Sequence, residues 1–298
     1  MYLTITAANL LVLVTVAVST DLHKPMHKFL CNLVIGDIIG SIGGLPKQLQ
    51  VLLTGNREIL FIPCVTQTFT LHIFAINEIL TLAMMSVDCY LAICYPLHYH
   101  TNVTAKRSIF IALLSWLISI ISVSIQATFI LSITLKENNR EIQGIVCDNV
   151  GIVSSAANDT SEIEAYAKSK IFVTVGFPFC VIAYTYIQVL IECKNSTSEF
   201  RSKALHTFGT HFMALAIFFT ALFLDILLPR FVKDADSEGV RNLRSSVQLV
   251  FLLRPVANIL IYCLRTTELR LAISKHFKKI SLHVHSCKTI KSRLSGHC

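Results

Sequence analysis

Charge is scarce in this chain. Asp, Glu, Lys and Arg make up 15% of its 298 residues, against about 25% in a soluble domain. Apolar residues fill the deficit at 53%, and the mean hydropathy is +0.62. Lipid is therefore the expected solvent. No nucleophile triad, metal-ligand cluster or phosphate-cradling glycine loop is visible in the sequence, so enzyme chemistry is not expected, nor a metal or cofactor. No pair of equal halves is visible either, which weighs against a transporter built from repeats. The first apolar run has no basic residue before it. It therefore lacks the n-region of a signal peptide and reads as a membrane helix.

What is present is a set of long apolar runs. A helix of about 20 such residues can cross a bilayer, because it satisfies its own backbone hydrogen bonds where no water can. Seven runs qualify: 2–19, 29–53, 64–94, 109–133, 171–191, 205–228 and 245–264. The fourth, IFIALLSWLISIISVSIQATFILSI, holds no formal charge. The third and seventh contain Glu78, Asp88 and Arg254, and charge at membrane depth is costly enough to need a reason. The seventh holds no lysine, which rejects a retinal Schiff base and with it a light-driven pump or sensor. The expected fold is all-α, a seven-transmembrane-helix bundle. In the stretch 266–280, Leu269, Leu271, Ile273, Phe277 and Ile280 alternate with Arg270, Lys275, Lys278 and Lys279. That pattern reads as a short amphipathic eighth helix on an anionic inner leaflet, with a disordered basic tail as the alternative. Residues 1–282 then form one helical domain and 283–298 a basic cytoplasmic tail. The chain begins almost inside its first helix, so a short preceding segment is expected.

Lys and Arg collect in cytoplasmic loops. With the N-terminus outside, the inner loops and tail carry fifteen bases against four acids, and the outer face ten bases against eleven acids. The net charge of +8 is accordingly read as a membrane signal, with the lipid bilayer as partner and no nucleic acid. Of ten cysteines, only Cys64 and Cys147 fall on the outer side. One outer bridge is possible, tying the outer end of the third helix to the loop after the fourth; two free thiols are the alternative.

Four motifs sit in order along the chain. After the first run comes DLHKPMHKFLCNLVIGD, containing Leu22, His23, Pro25, Met26, Phe29, Leu30, Asn32 and Asp37. The third run ends MMSVDCYLAICYPLHY, with Asp88, Tyr90, Leu91, Ala92, Ile93, Cys94, Pro96, Leu97 and Tyr99. The sixth opens KALHTFGTHF, and the seventh ends PVANILIYCLRTTELR, with Pro255, Asn258, Ile261, Tyr262, Leu264 and Arg265. In these positions the chain resembles the odorant receptors of the rhodopsin-like, G-protein-coupled class, over nearly its whole length.

That resemblance implies a plasma-membrane receptor that binds a small-molecule odorant between helices and signals to a heterotrimeric G protein. The implied pocket lies in the outer third, about two turns below Cys64, with Leu71, His72, Ala75 and Ile76 on one wall and Phe218, Phe219 and Phe223 opposite. His72 is its polar handle; for the others core packing is an equal alternative. Asn9, Asp37, Glu78 and Asn258 are placed together at mid-bundle, where two carboxylates could hold a cation, share a proton or simply join a hydrogen-bond network. Arg254, one turn outward of Asn258, stands where the family has an uncharged residue, and its guanidinium is expected to pair with Asp37 or Glu78 in place of a cation. Asp88, Cys89, Tyr90, Asn258 and Tyr262 fall in the switch region. Cys89 replaces the family arginine and Ile259 the family proline, so coupling is expected to be weak, and a non-signalling receptor of the same fold is the alternative reading. In SSAANDT, Ala157 stands at a family cysteine, and Asn158 with Thr160 makes an outer glycosylation sequon.

Overall fold

The computed structural model describes residues 2–56, 58–136, 141–143, 146–195, 197, 208–209, 211–224, 246, 254–262 and 267–275. The tail 283–298 and the sequence motif residues Lys203, Ala204 and Thr207 lie outside the described residues. In chain order the helices are α1 (Tyr2–Val18), α2 (Pro25–Thr54), α3 (Phe61–Cys94), α4 (Pro96–Asn102), α5 (Ala105–Leu131), α6 (Asn149–Ser154), α7 (Ser161–Ile171) and α8 (Phe177–Asn195). They are followed by α9 (His211–Leu224), α10 (254–262) and α11 (267–275).

Among the described residues, four helices are long and apolar enough to cross a membrane: Pro25–Thr54, Phe61–Cys94, Ala105–Leu131 and the continuous helix Ser161–Lys194. α1 and α9 are apolar but shorter. The helix expected over 171–191 starts ten residues earlier, because its first turns are amphipathic rather than greasy. Glu164 and Lys168 pair at 3.2 Å across one turn on its exposed side, while Ile163 and Lys170 are buried. Hydropathy alone does not see such turns. A π-helical turn, Phe172–Gly176, joins α7 to α8.

Capping explains several boundaries. Pro25 and Pro96 occupy the first turns of α2 and α4, where a missing N–H costs nothing. The Thr104 side chain accepts from the Arg107 amide at the start of α5. α2 ends at Gly55, whose φ of 69° is the left-handed cap conformation that glycine adopts without strain.

Two strands qualify the all-helical expectation. β1 (Glu58–Leu60) pairs antiparallel with β2 (Glu141–Gln143), Ile59 opposite Ile142. They lie beside the Cys64–Cys147 disulfide, which is formed. Under it, Val65, Ile130, Ile133, Ile152 and Ile163 make a small core. The main core fills the opposite half of the bundle, where Leu30, Leu33, Leu82, Met85, Ile182, Leu215, Phe218, Tyr262 and Leu269 meet from six helices. Leu269 docks α11 onto this core, with Ala272 and Ile273 beside it.

α2 and α3 approach closely. A Cβ on Gly40 would stand 2.5 Å from the Phe74 ring, and one on Gly43 2.7 Å from the Thr70 methyl. Small residues on one face let helix backbones pack where no hydrophobic force drives them together. The outer surface is apolar too: Phe110, Leu113, Leu117 and Ile121 of α5 are exposed, the inverse of a water-soluble helix.

Candidate functional site

α2, α3 and α10 bring acids, amide and guanidinium together at mid-bundle. Arg254 and Glu78, each with a side chain 1% exposed, form an ion pair at 2.8 Å. The Asn258 amide, one turn along α10, donates to Glu78 Oε1 at 3.1 Å and stands 3.4 Å from both oxygens of Asp37. The guanidinium lies between the Phe74 ring at 5.1 Å and the Phe218 ring at 4.7 Å. Ion pairing satisfies one edge of the guanidinium and aromatic faces stabilise its flat sides, which is why arginine rather than lysine tolerates such a place. Of the two acids expected as its partner, Glu78 is the one it meets. Asn9 is fully buried in α1, but its amide donates to the Ile5 carbonyl at 3.1 Å, and no hydrogen bond brings it to the two acids among the described residues.

The residues expected on the pocket wall divide between faces. Leu71 packs with Ile5, Leu45 and Val256, toward α1, α2 and α10. Ile76 packs with Ile73, Val123 and Trp116, toward α5. Phe218 lies under Arg254, and Phe219 joins Phe218 and Phe179 in edge contacts at 5.3 and 5.2 Å. Phe223 is 62% exposed, and Ala75 is half-buried. His72 is half-buried as well, and its Nδ1 is buried without a hydrogen-bond partner among the described residues.

His72 has a neighbourhood that sequence reading missed. Lys170 of α7 is buried and donates from Nζ to Gln126 Oε1 of α5, and it is the charge that His72 faces. Lys170 sits one residue before the apolar run 171–191, so hydropathy placed it in a loop; its helical register with Ile163 and Tyr166 was the available signal. A second network was also missed. Trp116 Nε1 donates to Asn32 Oδ1 at 2.7 Å, Asn32 Nδ2 to Thr81 Oγ1 at 2.8 Å, and Ser115 Oγ to Asn77 Oδ1 at 2.8 Å. It clamps α2, α3 and α5 and gives Asn32 of the first motif a structural role.

At the end of α3 away from the disulfide, Tyr99 donates to Asp88 Oδ1 at 2.9 Å; burial and that carboxylate push the Tyr99 hydroxyl above the ordinary phenol range. Cys89 is 8% exposed. Tyr90 touches Tyr95 and Tyr184 edge-on at 5.6 and 6.2 Å. Tyr262, fully buried, points its hydroxyl to Met85 Sδ at 3.9 Å. Between α3, α5 and α8 lies a cavity of about 400 Å³, walled by Leu80, Met84, Ile111, Leu114 and Val181 with Asp88 and Arg107 among its lining; it is separate from the predicted pocket.

The disulfide-bridged loop between α5 and α7 is tied down from below. The Cys147 amide donates to Gln67 Oε1 at 2.9 Å, and Gln67 Nε2 to the Gly43 carbonyl at 3.1 Å. Asn158 is exposed, with its Oδ1 accepting from the Thr134 amide at 3.0 Å. Ser161 hydrogen bonds hold the neighbouring Asp159 carboxyl below its ordinary range.

Comparison with known proteins places this geometry in context. A family model described as olfactory receptor matches residues 1–279. Human olfactory receptor 4K2 is 31% identical over 277 residues, covering 92% of this chain and 85% of the relative. Mouse olfactory receptor 4E2 is 33% identical over 281 residues, covering 93% and 87%. Human olfactory receptor 10A6 is 30% identical over 286 residues, covering 95% and 88%.

Proposed function

Because the chain belongs to the olfactory receptor family, we propose that it is a seven-helix, G-protein-coupled odorant receptor of the plasma membrane, its N-terminus extracellular and its C-terminus cytoplasmic. α11 lies on the inner leaflet: Leu269 faces the bundle core while Arg270 and Lys275 are exposed. The end bearing the disulfide is extracellular, where oxidising conditions preserve such a bond. A small organic ligand enters beneath the disulfide-bridged loop and sits in the outer third of the bundle, near His72, Ala75 and Phe219. Apolar contact there contributes roughly 25 cal/mol per Å² buried, and a hydrogen bond sets orientation.

Ligand shifts a two-state equilibrium only through its difference in affinity for the two states. The observation that carries the reading is the family match across residues 1–279, which takes in every helix described. Asn258 and Tyr262 on α10 connect the mid-bundle acids to Met85 of α3. A ligand touching α9 or α10 therefore acts on packing that reaches the opposite end.

A second reading is favoured by Cys89, where the receptor binds ligand without signalling. The family arginine at that position restrains the resting bundle and then contacts the G protein; a buried thiol supplies no cation for either task. Asp88 meanwhile takes the Tyr99 hydroxyl. The test is a cAMP assay of surface-expressed receptor over an odorant panel, beside the double variant Cys89→Arg with Ile259→Pro. Weak responses that rise in the double variant support an impaired signaller. Ligand binding with no cAMP in either form establishes the non-signalling reading, and no odorant binding at all overturns both.

A further inference from the structure

Lys170 brings a cation into the half of the bundle that the disulfide covers, and the mid-bundle acids do not use it. It is 7% exposed, and Gln126, whose Oε1 it meets, is 1% exposed. An ammonium has three donors. One is directed at Gln126; no carboxylate lies within ion-pair distance of Lys170 among the described residues. The nearest acid in sequence outside the helix's buried face, Glu164, is already paired with Lys168. Two more polar atoms beside it are buried without hydrogen-bond partners among the described residues, Gln126 Nε2 and His72 Nδ1. Three helices, α3, α5 and α7, thus converge a cation, an amide donor and an imidazole, with no anion between them among the described residues. The π-helical turn Phe172–Gly176 begins two residues after Lys170. Such turns change the phase between the helix before and after them, and here Lys170 is buried while Phe172 and Val173 are exposed.

Burying an ammonium against a single neutral acceptor is expensive, and an anion that also accepts the free amide hydrogens removes that cost. We propose that the ligand of this receptor is an organic acid whose carboxylate is held by Lys170 and Gln126, with His72 beside it. This rests on the placement of the ligand pocket given above and adds the chemical class it selects. Neutral alcohols and esters of equal chain length offer oxygen acceptors but no charge, so they leave Lys170 uncompensated. Site preference for an acid over its ester follows from the same asymmetry that penalises any unpaired buried donor.

The test uses full-length receptor purified in detergent and reads thermal unfolding, so it does not depend on G-protein coupling. Octanoate, 1-octanol and methyl octanoate are the probes, on the unaltered protein and on Lys170→Met and Lys170→Arg. Octanoate is expected to raise the unfolding temperature by about 3 °C at saturation, with little effect from the ester or alcohol. The shift is lost in Lys170→Met and kept in Lys170→Arg. Without ligand, Lys170→Met should be more stable than the parent, because an uncompensated buried charge is gone. Equal stabilisation by acid and ester overturns the proposal while leaving the pocket intact. A fall in ligand-free stability on Lys170→Met overturns it by showing that Lys170 has an internal counter-charge. No shift from any of the three probes overturns it together with the placement of the pocket.

Discussion

A guanidinium and a carboxylate that meet at 2.8 Å with both side chains 1% exposed cannot be separated cheaply. Removing one leaves the other buried and unpaired, at a cost of about 3–5 kcal/mol, whereas replacing both with apolar groups of similar size is often close to neutral. Arg254→Ala and Glu78→Ala are therefore each expected to lower the stability of the purified receptor by that amount, and Arg254→Met with Glu78→Leu by much less than their sum. A double-mutant cycle on thermal or denaturant unfolding measures the difference. Additive losses would show that the pair is not coupled. Arg254 also stands where a cation would neutralise Asp37 and Glu78. Arg254→Ala should make stability respond to sodium over choline as chloride salts, and unchanged expression with no such response counts against the substitution of guanidinium for cation.

At the scale of helices, the closest fit is between α2 and α3. Gly40 faces Phe74 so tightly that a methyl at that position would stand 2.5 Å from the ring, and Phe74 is one of the two rings that sandwich Arg254. Gly40→Val must displace that ring or part the helices. Overpacking of this kind costs about 1–3 kcal/mol, with a further loss from the disturbed Arg254 site. Surface expression and unfolding temperature should both fall. Gly55→Ala is the contrast, since nothing stands within 4 Å of its Cβ position and only its positive φ is strained; about 1 kcal/mol is expected. Equal effects from the two would mean that the α2–α3 approach is not under packing constraint.

At the scale of the whole molecule, the Cys64–Cys147 disulfide ties the loop after α5 to the bundle. Cys64 and Cys147 are separated by 83 residues, and constraining a loop of that length in the unfolded chain stabilises the folded state by about 4–5 kcal/mol in the chain-entropy account. Cys64→Ser, or reduction of the intact protein, should lower the unfolding temperature and loosen the cluster of Ile130, Ile152 and Ile163 beneath it. Faster amide exchange over α6 than over α3 would locate the loss in that loop. Uniform exchange across both helices would argue instead for global destabilisation.

The long apolar runs and the ordered motifs made the membrane class and the family legible, because lipid imposes one requirement, internal backbone pairing over about 20 residues, and a linear pattern can express it. Cys64 and Cys147 were legible for a related reason, being the two cysteines on one side of that pattern. The early start of α7 was not, since its acid–base pair and buried Lys170 obey helical register rather than hydropathy. Which carboxylate meets Arg254, which residue receives Trp116 and what lies beside His72 were decided by the packing of helices far apart in sequence. Side-chain partners depend on helix rotation and approach, and small residues such as Gly40 set those distances without leaving any periodic mark in the chain.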